Sequence, residues 1–596
     1  MTATLLSLPL PAPKKEASSQ DHKHWGQLQG SSAALCISQA LSQYKGPIVL
    51  ITADTPSAMK LEKEIAFFLS DNTKHTPITL FPDWETLPYD SFSPHQDIVS
   101  QRLETLFRFT QQGEGIFIVP VNTLMQRLAP TDYLAKYLLM LNKGDTLDRD
   151  QFRRNLEQAG YLHVSQVMSH SEFSVRGSII DLFPMGSDQP FRIDLFDDEI
   201  DSIRYFDTET QRSGEAVNEI RLLPAREFPT DKEAITLFRQ QFLEKFDANN
   251  ASESVFSQVS KGTMPSGVEY YLPLFFEKTA TLFDYLHPKS LLLLHGDVQD
   301  ASEFFWADVQ ERYEQYRYNL ARPLLAPDEL FLPINELFGA IKQWPRASLS
   351  SKVLEEKSGT SNLQCEKLDD IAINSQKKVP AERLIKTVNQ ATDNGAKVLF
   401  CAETQGRREG LLTVLAKAGI KPKIVDSFSD FIASHDSIGI TVGMVDNSFR
   451  WHTQEGELLF ITETELLGQK VSQRRLRDKR TATDESAIIR NLAELSIGQP
   501  VVHLDHGVGR YLGLQTLDAG GVATEYLCIE YAKQSKLYVP VASLHLISRY
   551  TGGDADSAPV SALGSDAWTK AKQKAAEKVR DVAAELLDVY ARRAAK

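Results

Sequence analysis

The first 120 residues alternate helical patterns with short, continuous apolar runs, and no other feature of the sequence limits the fold as strongly. The helical patterns predict helices over residues 32–44 and 57–69. The apolar runs predict strands over 48–51, 78–81 and 116–120. Short apolar strands that alternate with helices are typical of a parallel sheet covered on both faces. We therefore expect the chain to begin with an α/β domain.

From about residue 145 the pattern changes to a series of short strands. A helix is predicted over 153–159, and strands are predicted over 178–183, 191–196 and 202–206. Turn-forming residues separate these strands, including Gly186-Ser187 and the acidic run from Asp197 to Glu199. This pattern favours a small α+β module with antiparallel strands.

The remainder of the chain reads as further α/β sequence followed by an all-β segment. The predicted parts are a helix over 231–246, a strand over 291–294, a polar linker over 348–364, a second α/β unit with a strand over 396–401 and a helix over 406–417, a basic linker over 470–480, an all-β segment over 497–547, and a long final helix that Ser565 would cap.

Length and composition exclude several classes of protein. A chain of 596 residues predicts about four domains. A formal net charge of -14 argues against a surface devoted to phosphate binding. The four cysteines are scattered, which argues against a disulfide framework or a zinc knuckle and suits a reducing compartment. With neither a signal peptide nor a membrane span in the sequence, we expect a cytoplasmic protein that does not bind membranes.

Two long blocks resemble known bacterial modules. The block Val175–Pro184, continued by Arg192–Ile200, closely resembles the UvrA-binding domain of UvrB, a nucleotide-excision-repair helicase. The block Ile497–Tyr511 resembles a Tudor-like module of bacterial proteins that bind RNA polymerase. In this order, the two blocks resemble the N-terminal half of the bacterial transcription-repair coupling factors (Mfd). In that family the other half of the protein carries an ATP-dependent double-stranded DNA translocase.

The resemblance implies an α/β multidomain fold: a UvrB-like degenerate P-loop domain with an inserted α+β domain, a further small α/β domain, a Tudor-like small β-barrel and a connector helix. The expected boundaries are 1–137 for UvrB-like domain 1a, 138–224 for UvrA-binding domain 2, 225–347 for domain 1b, 348–469 for α/β domain 3, 470–493 for the basic linker, 494–555 for the polymerase-interacting domain and 556–596 for the connector helix.

A working nucleotide site is not expected in this chain. A P-loop needs glycines around the phosphates, a lysine for their charge and a hydroxyl for Mg²⁺, but Gly30 is followed by Ser31 and Ser32 without the Gly-Lys-Thr sequence. The resemblance to UvrB places a Mg²⁺-organising Asp-Glu pair where this chain has His295 and Gly296, with Asp297 close by as the remaining candidate. We expect no catalytic residue, metal or cofactor here. By the resemblance, ATP and Mg²⁺ belong to the motor half.

The resemblance also marks a surface for UvrA. Arg176, Arg192 and Phe196 fall on the positions that contact UvrA in the family, and arginine and aromatic residues are enriched at binding hot spots. In the alternative interpretation, Phe196 belongs to the core and both arginines pair with the nearby acidic residues, Asp194 and the run from Asp197 to Glu199.

A second surface is implied for the β subunit of RNA polymerase. Leu517 matches the contact leucine of the family, and an exposed edge strand would pair with a strand of the partner. The alternative is that Leu517 is an ordinary core leucine. His503, Asp505 and His506 form too weak a set for a metal site, and we predict a polar turn there.

These observations predict an adaptor that binds stalled RNA polymerase and recruits UvrA, acting as a monomer, with double-stranded DNA bound mainly by the motor half. The first alternative is an active UvrB-like ATPase that loads onto damaged DNA. The second is a DNA-binding scaffold that uses the basic run of Lys470, Arg474, Arg475, Arg477, Lys479 and Arg480.

Overall fold

The computed structural model describes residues 7–14, 21–69, 77–111, 115–208, 210–246, 254–319, 321–368, 370–373, 381–453, 456–467, 497–503, 506–518, 523–540, 547–549 and 560–561. The described residues divide into two units, residues 7–467 and residues 497–561. The predicted basic linker at 470–480 and the predicted final helix lie outside the described residues.

The strands of the first unit, in chain order, are β1 His22–Gly26, β2 Ile48–Thr52, β3 Ile78–Leu80, β4 Ile116–Pro120, β5 Leu139–Asn142, β6 Leu162–His163, β7 Glu172–Arg176, β8 Ile179–Leu182, β9 Phe191–Phe196, β10 Glu199–Phe206, β11 Ser213–Val217, β12 Glu219–Leu222, β13 Leu291–His295, β14 Arg346–Leu349, β15 Thr360–Asn362, β16 Cys365–Glu366, β17 Lys397–Ala402, β18 Lys423–Ile424, β19 Ile438–Val442, β20 Phe449–Thr453 and β21 Gly456–Thr462.

Its α-helices are α1 Ser32–Gln43, α2 Thr55–Phe68, α3 Gln96–Gln111, α4 Val121–Leu124, α5 Tyr133–Tyr137, α6 Arg149–Gln158, α7 Lys232–Lys245, α8 Val255–Ser260, α9 Leu282–Tyr285, α10 Val298–Tyr316, α11 Pro327–Leu330, α12 Ile334–Ile341, α13 Glu382–Asp393, α14 Gln405–Lys417, α15 Phe428–Ala433 and α16 Glu463–Leu467. A 3-10 helix spans Val268–Phe275. Among the helices of the described ranges, none is long and apolar enough to cross a membrane.

A seven-stranded sheet forms the centre of the first unit, in the order β15-β1-β14-β13-β2-β4-β3, and its strand pairs are parallel. The predicted parallel sheet is therefore confirmed. Its interior strand β2, which lies between β13 and β4, is buried along its whole length because both faces of the sheet are covered. Ile48 and Leu50 face one hydrophobic core and Val49 and Ile51 face another, as the two-residue period of a strand requires.

The inserted module, which lies between β4 and α7, contains a six-stranded sheet in the order β11-β10-β9-β8-β7-β6. Its strand pairs are antiparallel except for β6 with β7, which confirms the predicted α+β module. The turn between β7 and β8 places Gly177 at a φ of 62°, a left-handed conformation that glycine adopts without steric cost. The buried side of this sheet joins the same core as Val49 and Ile51.

A second α/β region follows, built on a six-stranded mixed sheet in the order β16-β20-β21-β17-β19-β18. The predicted strand at 396–401 and helix at 406–417 correspond to β17 and α14. The linker predicted over 348–364 is wrong in part, because this stretch contains the end of β14 and all of β15. Both strands pair with β1 of the first sheet, so the polar stretch completes that sheet.

The second unit has the strands β22 Pro500–His503, β23 Gly507–Asp518, β24 Ala523–Glu530, β25 Lys536–Pro540 and β26 Ile547–Arg549. They form one antiparallel sheet in the order β25-β24-β23-β22-β26, around a small core of its own. The all-β prediction for 497–547 is confirmed for the residues described. The Tudor-like barrel stays a prediction.

A buried ion pair fixes the chain where it leaves the inserted module. Glu227 accepts hydrogen bonds from Nε and Nη2 of Arg102, at 2.6 and 3.1 Å, and from Nε1 of Trp84 at 2.9 Å. Both charged side chains are almost completely buried. Removal of one partner from such a pair leaves the other charge in a medium that solvates it poorly.

We therefore predict that Glu227→Gln lowers the free energy of unfolding of the first unit by about 3 kcal/mol, since Arg102 loses its counter-charge. Urea denaturation provides the measurement. The control is Glu157→Gln, which removes a partly exposed pair with Arg153 on α6 and should cost less than about 0.5 kcal/mol. Equal losses in the two variants would contradict this account.

Candidate protein-binding sites

Arg176, Arg192 and Phe196 lie on one exposed face of the six-stranded sheet of the inserted module. Side chains of β9 alternate between the core and solvent, so that Arg192, Asp194 and Phe196 all point outward. The strand register places Arg176, at the end of β7, on the same face. The Phe196 side chain is 75% exposed, which contradicts the alternative that it belongs to the core.

The carboxylate of Asp181 lies on this same face, beneath the side chains of the two arginines, and joins them. Asp181 is fully buried on β8 and accepts hydrogen bonds from Nε and Nη2 of Arg192 at 2.7 and 3.0 Å. Nη2 of Arg176 binds the same carboxylate. These hydrogen bonds, with the negative charge of Asp181, raise the pKa of Arg192. Both arginines therefore pair with Asp181 on β8. The sequence had suggested other acidic partners, Asp194 and the run from Asp197 to Glu199.

Sequence reasoning missed Asp181. Between the apolar residues Ile180 and Leu182 of a short strand, an aspartate is expected to point outward, where a carboxylate needs no cation. Arg192, which covers it, lies 11 positions away on the next strand, and only the register identifies it.

The two arginines differ in how much of each is available to a partner. Arg192 also donates to the carbonyl oxygen of Gln211 at 3.0 Å and lies over the ring of Phe206 at 5.0 Å, so its side chain is only 18% exposed. Arg176 is 51% exposed. The face thus presents one accessible guanidinium, one held in a fixed orientation, and a large apolar ring at Phe196. This combination suits a partner surface that has carboxylates around an apolar pocket.

The loop between β1 and α1 contains the second predicted set, Gly30, Ser31 and Ser32. Gly30 has a φ of 59°, and a Cβ atom added to it would lie 2.3 Å from the carbonyl oxygen of Ser448. The backbone N–H of Asn447 donates to Oγ of Ser31 at 3.2 Å. The segment Asp446–Ser448, which leads into β20, therefore lies directly on this loop. Nothing in the sequence indicated this contact.

The hydroxyl of Ser31 also donates to Oε1 of Glu64 at 2.6 Å, and the backbone N–H of Asp446 donates to the same oxygen at 3.3 Å. Glu64 is 2% exposed, and burial raises the pKa of its carboxyl group although Lys60 lies 3.7 Å away. The hydroxyl of Ser31 is thus engaged within the protein, beside the buried carboxyl group of Glu64.

His295 is the last residue of β13 and Gly296 follows it. β13 belongs to the same sheet as β1, the strand that precedes the loop of Gly30. Burial lowers the pKa of His295, which favours a neutral imidazole at neutral pH. Gly296 has a φ of 80°, and Asp297 follows directly before α10. Across the described part of the chain, no group of three or more His, Cys, Asp or Glu side chains is arranged to hold a metal ion.

In the second unit, Leu517 lies near the end of β23 and pairs with Thr524 of β24. Its side chain lies outside the described part of the chain, so the core alternative stays open. Exposed apolar side chains are present elsewhere in this unit, at Ile497 (76% exposed), Leu514 and Tyr538. The rings of His503 and His506 lie 4.7 Å apart, while Asp505 is outside the described residues.

Three family models match this chain. The UvrB interaction domain matches residues 139–228, the MFD D3 domain matches 391–466, and the CarD-like/TRCF RID domain matches 495–551. The first match covers the face with Arg176, Arg192 and Phe196, and the last covers the antiparallel sheet of the second unit. The matches define a class of protein that combines a UvrB interaction domain with a CarD-like domain.

Comparisons over nearly the whole chain point to one group of proteins within this class. The chain is 48% identical to the transcription-repair-coupling factor of Escherichia coli (strain K12) over 96% of its own length and 49% of the relative. It is also 48% identical to that of Haemophilus influenzae and 28% identical to that of Bacillus subtilis, again over about half of each relative. The chain is thus similar over nearly its whole length to transcription-repair-coupling factors, which confirms the resemblance, and it spans about half the length of the curated relatives it matches.

The buried Glu64 generates a prediction about pH. A carboxyl group with a raised pKa binds more protons when the protein is folded, so its contribution to stability falls as the pH rises above the unfolded pKa of about 4.3. Glu64→Gln imitates the protonated form and keeps an oxygen for Ser31 and Asp446. We expect this variant to gain stability relative to wild type between about pH 4 and pH 8. Denaturation midpoints across this range test it, and a difference that stays constant or shrinks would contradict it.

Proposed function

We propose that the chain is an adaptor that binds UvrA through the exposed face of the inserted module. The observation that carries this proposal is the presence of Arg176, Arg192 and Phe196 on one face within the region that matches the UvrB interaction domain. The 75% exposure of Phe196 supports it further, since an exposed aromatic ring is available to a partner. Arginine and aromatic side chains together form typical hot spots.

We further propose that the second unit binds the β subunit of RNA polymerase. The match to the CarD-like/TRCF RID domain supports this assignment. In the described part of the sheet, β25 and β26 are the edge strands, and an edge strand offers unpaired backbone groups to a strand of a partner. Leu517 on β23 is the proposed apolar contact.

For the whole protein, the family implies an ATP-dependent double-stranded DNA translocase that displaces stalled RNA polymerase in the cytoplasm. In this proposal the present chain acts as a monomeric adaptor, while DNA, ATP and Mg²⁺ are bound mainly by the motor half. The two binding surfaces would then bring UvrA to the place where transcription has stopped.

We propose that the loop of Gly30, Ser31 and Ser32 is a degenerate nucleotide site. Three features support this: the missing lysine, the position of Asp446–Ser448 on the loop, and the buried carboxyl group of Glu64. The residues do not fit a triphosphate. The rival function, an active UvrB-like ATPase that loads onto damaged DNA, requires this same loop to be open and cationic.

The two partner assignments predict two variants, each of which loses one partner and keeps the other. Arg176→Ala should lower the affinity for purified UvrA about tenfold, because a charge-assisted contact is lost, while polymerase binding stays unchanged. Leu517→Arg should abolish binding to the polymerase β subunit and leave UvrA binding unchanged. Biolayer interferometry with each immobilised partner provides the measurement.

The matched control for both surfaces is Arg239→Ala, which removes an exposed arginine on α7, a helix that belongs neither to the sheet of the inserted module nor to the second unit. It should bind both partners as tightly as the wild type. If Arg176→Ala and Leu517→Arg both keep both partners, the residue assignments are wrong.

The degenerate site predicts that isothermal titration with ATP and Mg²⁺ gives no saturable heat and that the chain hydrolyses no ATP. The physical reason is that the loop lacks a cation and contacts Asp446–Ser448 instead. ATP hydrolysis that disappears in Asp297→Asn would support the ATPase alternative and overturn the adaptor reading.

A further inference from the structure

Arg204 lies in the same exposed row of the six-stranded sheet as the arginines already described. On β10 it pairs directly with Arg192 of β9 on one side and with Ala216 of β11 on the other. Directly paired residues of neighbouring strands point to the same side of a sheet. Arg204 therefore shares the face of Arg176, Arg192 and Phe196, and its side chain is exposed.

The position of Arg204 is electrostatically unfavourable in the isolated chain. Two arginines directly opposite each other on adjacent strands repel. Asp181 accepts two hydrogen bonds from Arg192 and one from Arg176, which lies on the side of the row away from Arg204. The carboxylate is therefore shared by these two arginines. Among the residues that the structure describes, no hydrogen bond or ion pair is made by the Arg204 guanidinium.

Acidic residues near this row do not remove the imbalance. Asp194 lies on the same face but pairs across the strands with Ser202, which places it diagonal to Arg204, and its Oδ1 accepts a hydrogen bond from Ser178 at 3.4 Å. On the edge strand, the directly opposite position is occupied by Ala216. Neither strand beside Arg204 therefore places a carboxylate directly opposite it.

We propose that Arg204 is a further contact residue of the UvrA-binding face and that it binds a carboxylate on an acidic surface of the partner. Arginine suits this role because its planar fork binds a carboxylate with two parallel hydrogen bonds. The face then contains a row of guanidinium groups, of which Asp181 fixes the first two and the partner neutralises the third. Phe196, two strand positions beyond Asp194, supplies the apolar contact. This inference rests on the proposed function.

The test compares the affinity of purified UvrA for four chains: wild type, Arg204→Ala, Arg204→Met and Arg239→Ala. The methionine variant keeps most of the side-chain stem and removes the charge. Both Arg204 variants should bind about tenfold more weakly than wild type, and Arg239→Ala should be unchanged. Thermal unfolding of each variant, with its binding to the polymerase β subunit, verifies that the fold is retained.

A salt titration separates a charge contact from a structural role. Between about 50 and 500 mM salt, UvrA binding should weaken more for the wild type than for Arg204→Met, because the charged contact is screened. If wild type binds UvrA and Arg204→Met binds equally tightly with the same salt dependence, the inference is wrong. If wild type does not bind UvrA at all, the proposed function itself fails.

Discussion

The rest of the structure depends on the burial of both faces of the seven-stranded parallel sheet. Alternate residues of an interior strand, β2, belong to separate cores. One core extends into the inserted module, and the other extends to the buried face of the second α/β sheet, where it includes Leu399, Phe449 and Trp451. Because the two cores are continuous with this sheet, close packing holds the inserted module on one face and the second α/β sheet on the other. The exposed arginine face and the loop at Gly30 both owe their positions to it.

The core that contains Ile48 and Leu50 also brings the second α/β sheet close to the β1–α1 loop. This contact distinguishes the loop from an open nucleotide site. In open α/β sheets, ligands bind beyond the carboxyl ends of the strands, and this loop follows the carboxyl end of β1. Here the backbone of Asp446–Ser448 lies on the loop, with hydrogen bonds to Ser31 and Glu64. A carboxyl group held by a serine hydroxyl and a backbone N–H is a stable arrangement within a protein, but it opposes the binding of a phosphate anion. The absence of a lysine from this loop and its contact with Asp446–Ser448 are therefore both consistent with the proposed degenerate site.

Much of the fold could be predicted because its signals are local. Apolar runs at β2 and β4 and the antiparallel pattern from β8 to β10 reflect the burial of consecutive or alternate residues. Polar strands escaped prediction: β15 is half-buried and carries no apolar residue, and only its backbone pairing with β1 reveals it. The same contrast between local signals and long-range contacts holds for the candidate binding sites. Arg176, Arg192 and Phe196 were found by resemblance, whereas Asp181, Arg204 and Asp446–Ser448 depend on register and on contacts between distant segments.

The charge of the chain gives the arginine face its significance. A net charge of -14 opposes the approach of an acidic partner over the surface as a whole. At physiological ionic strength, however, charges are screened beyond about 8 Å, so that under the proposed function the local row of guanidinium groups would decide the orientation of a bound partner. Because Asp181 is buried, it fixes Arg176 and Arg192 without presenting its own negative charge at the surface. An acidic protein can in this way recognise an acidic surface, provided that the recognition is confined to one face of one sheet.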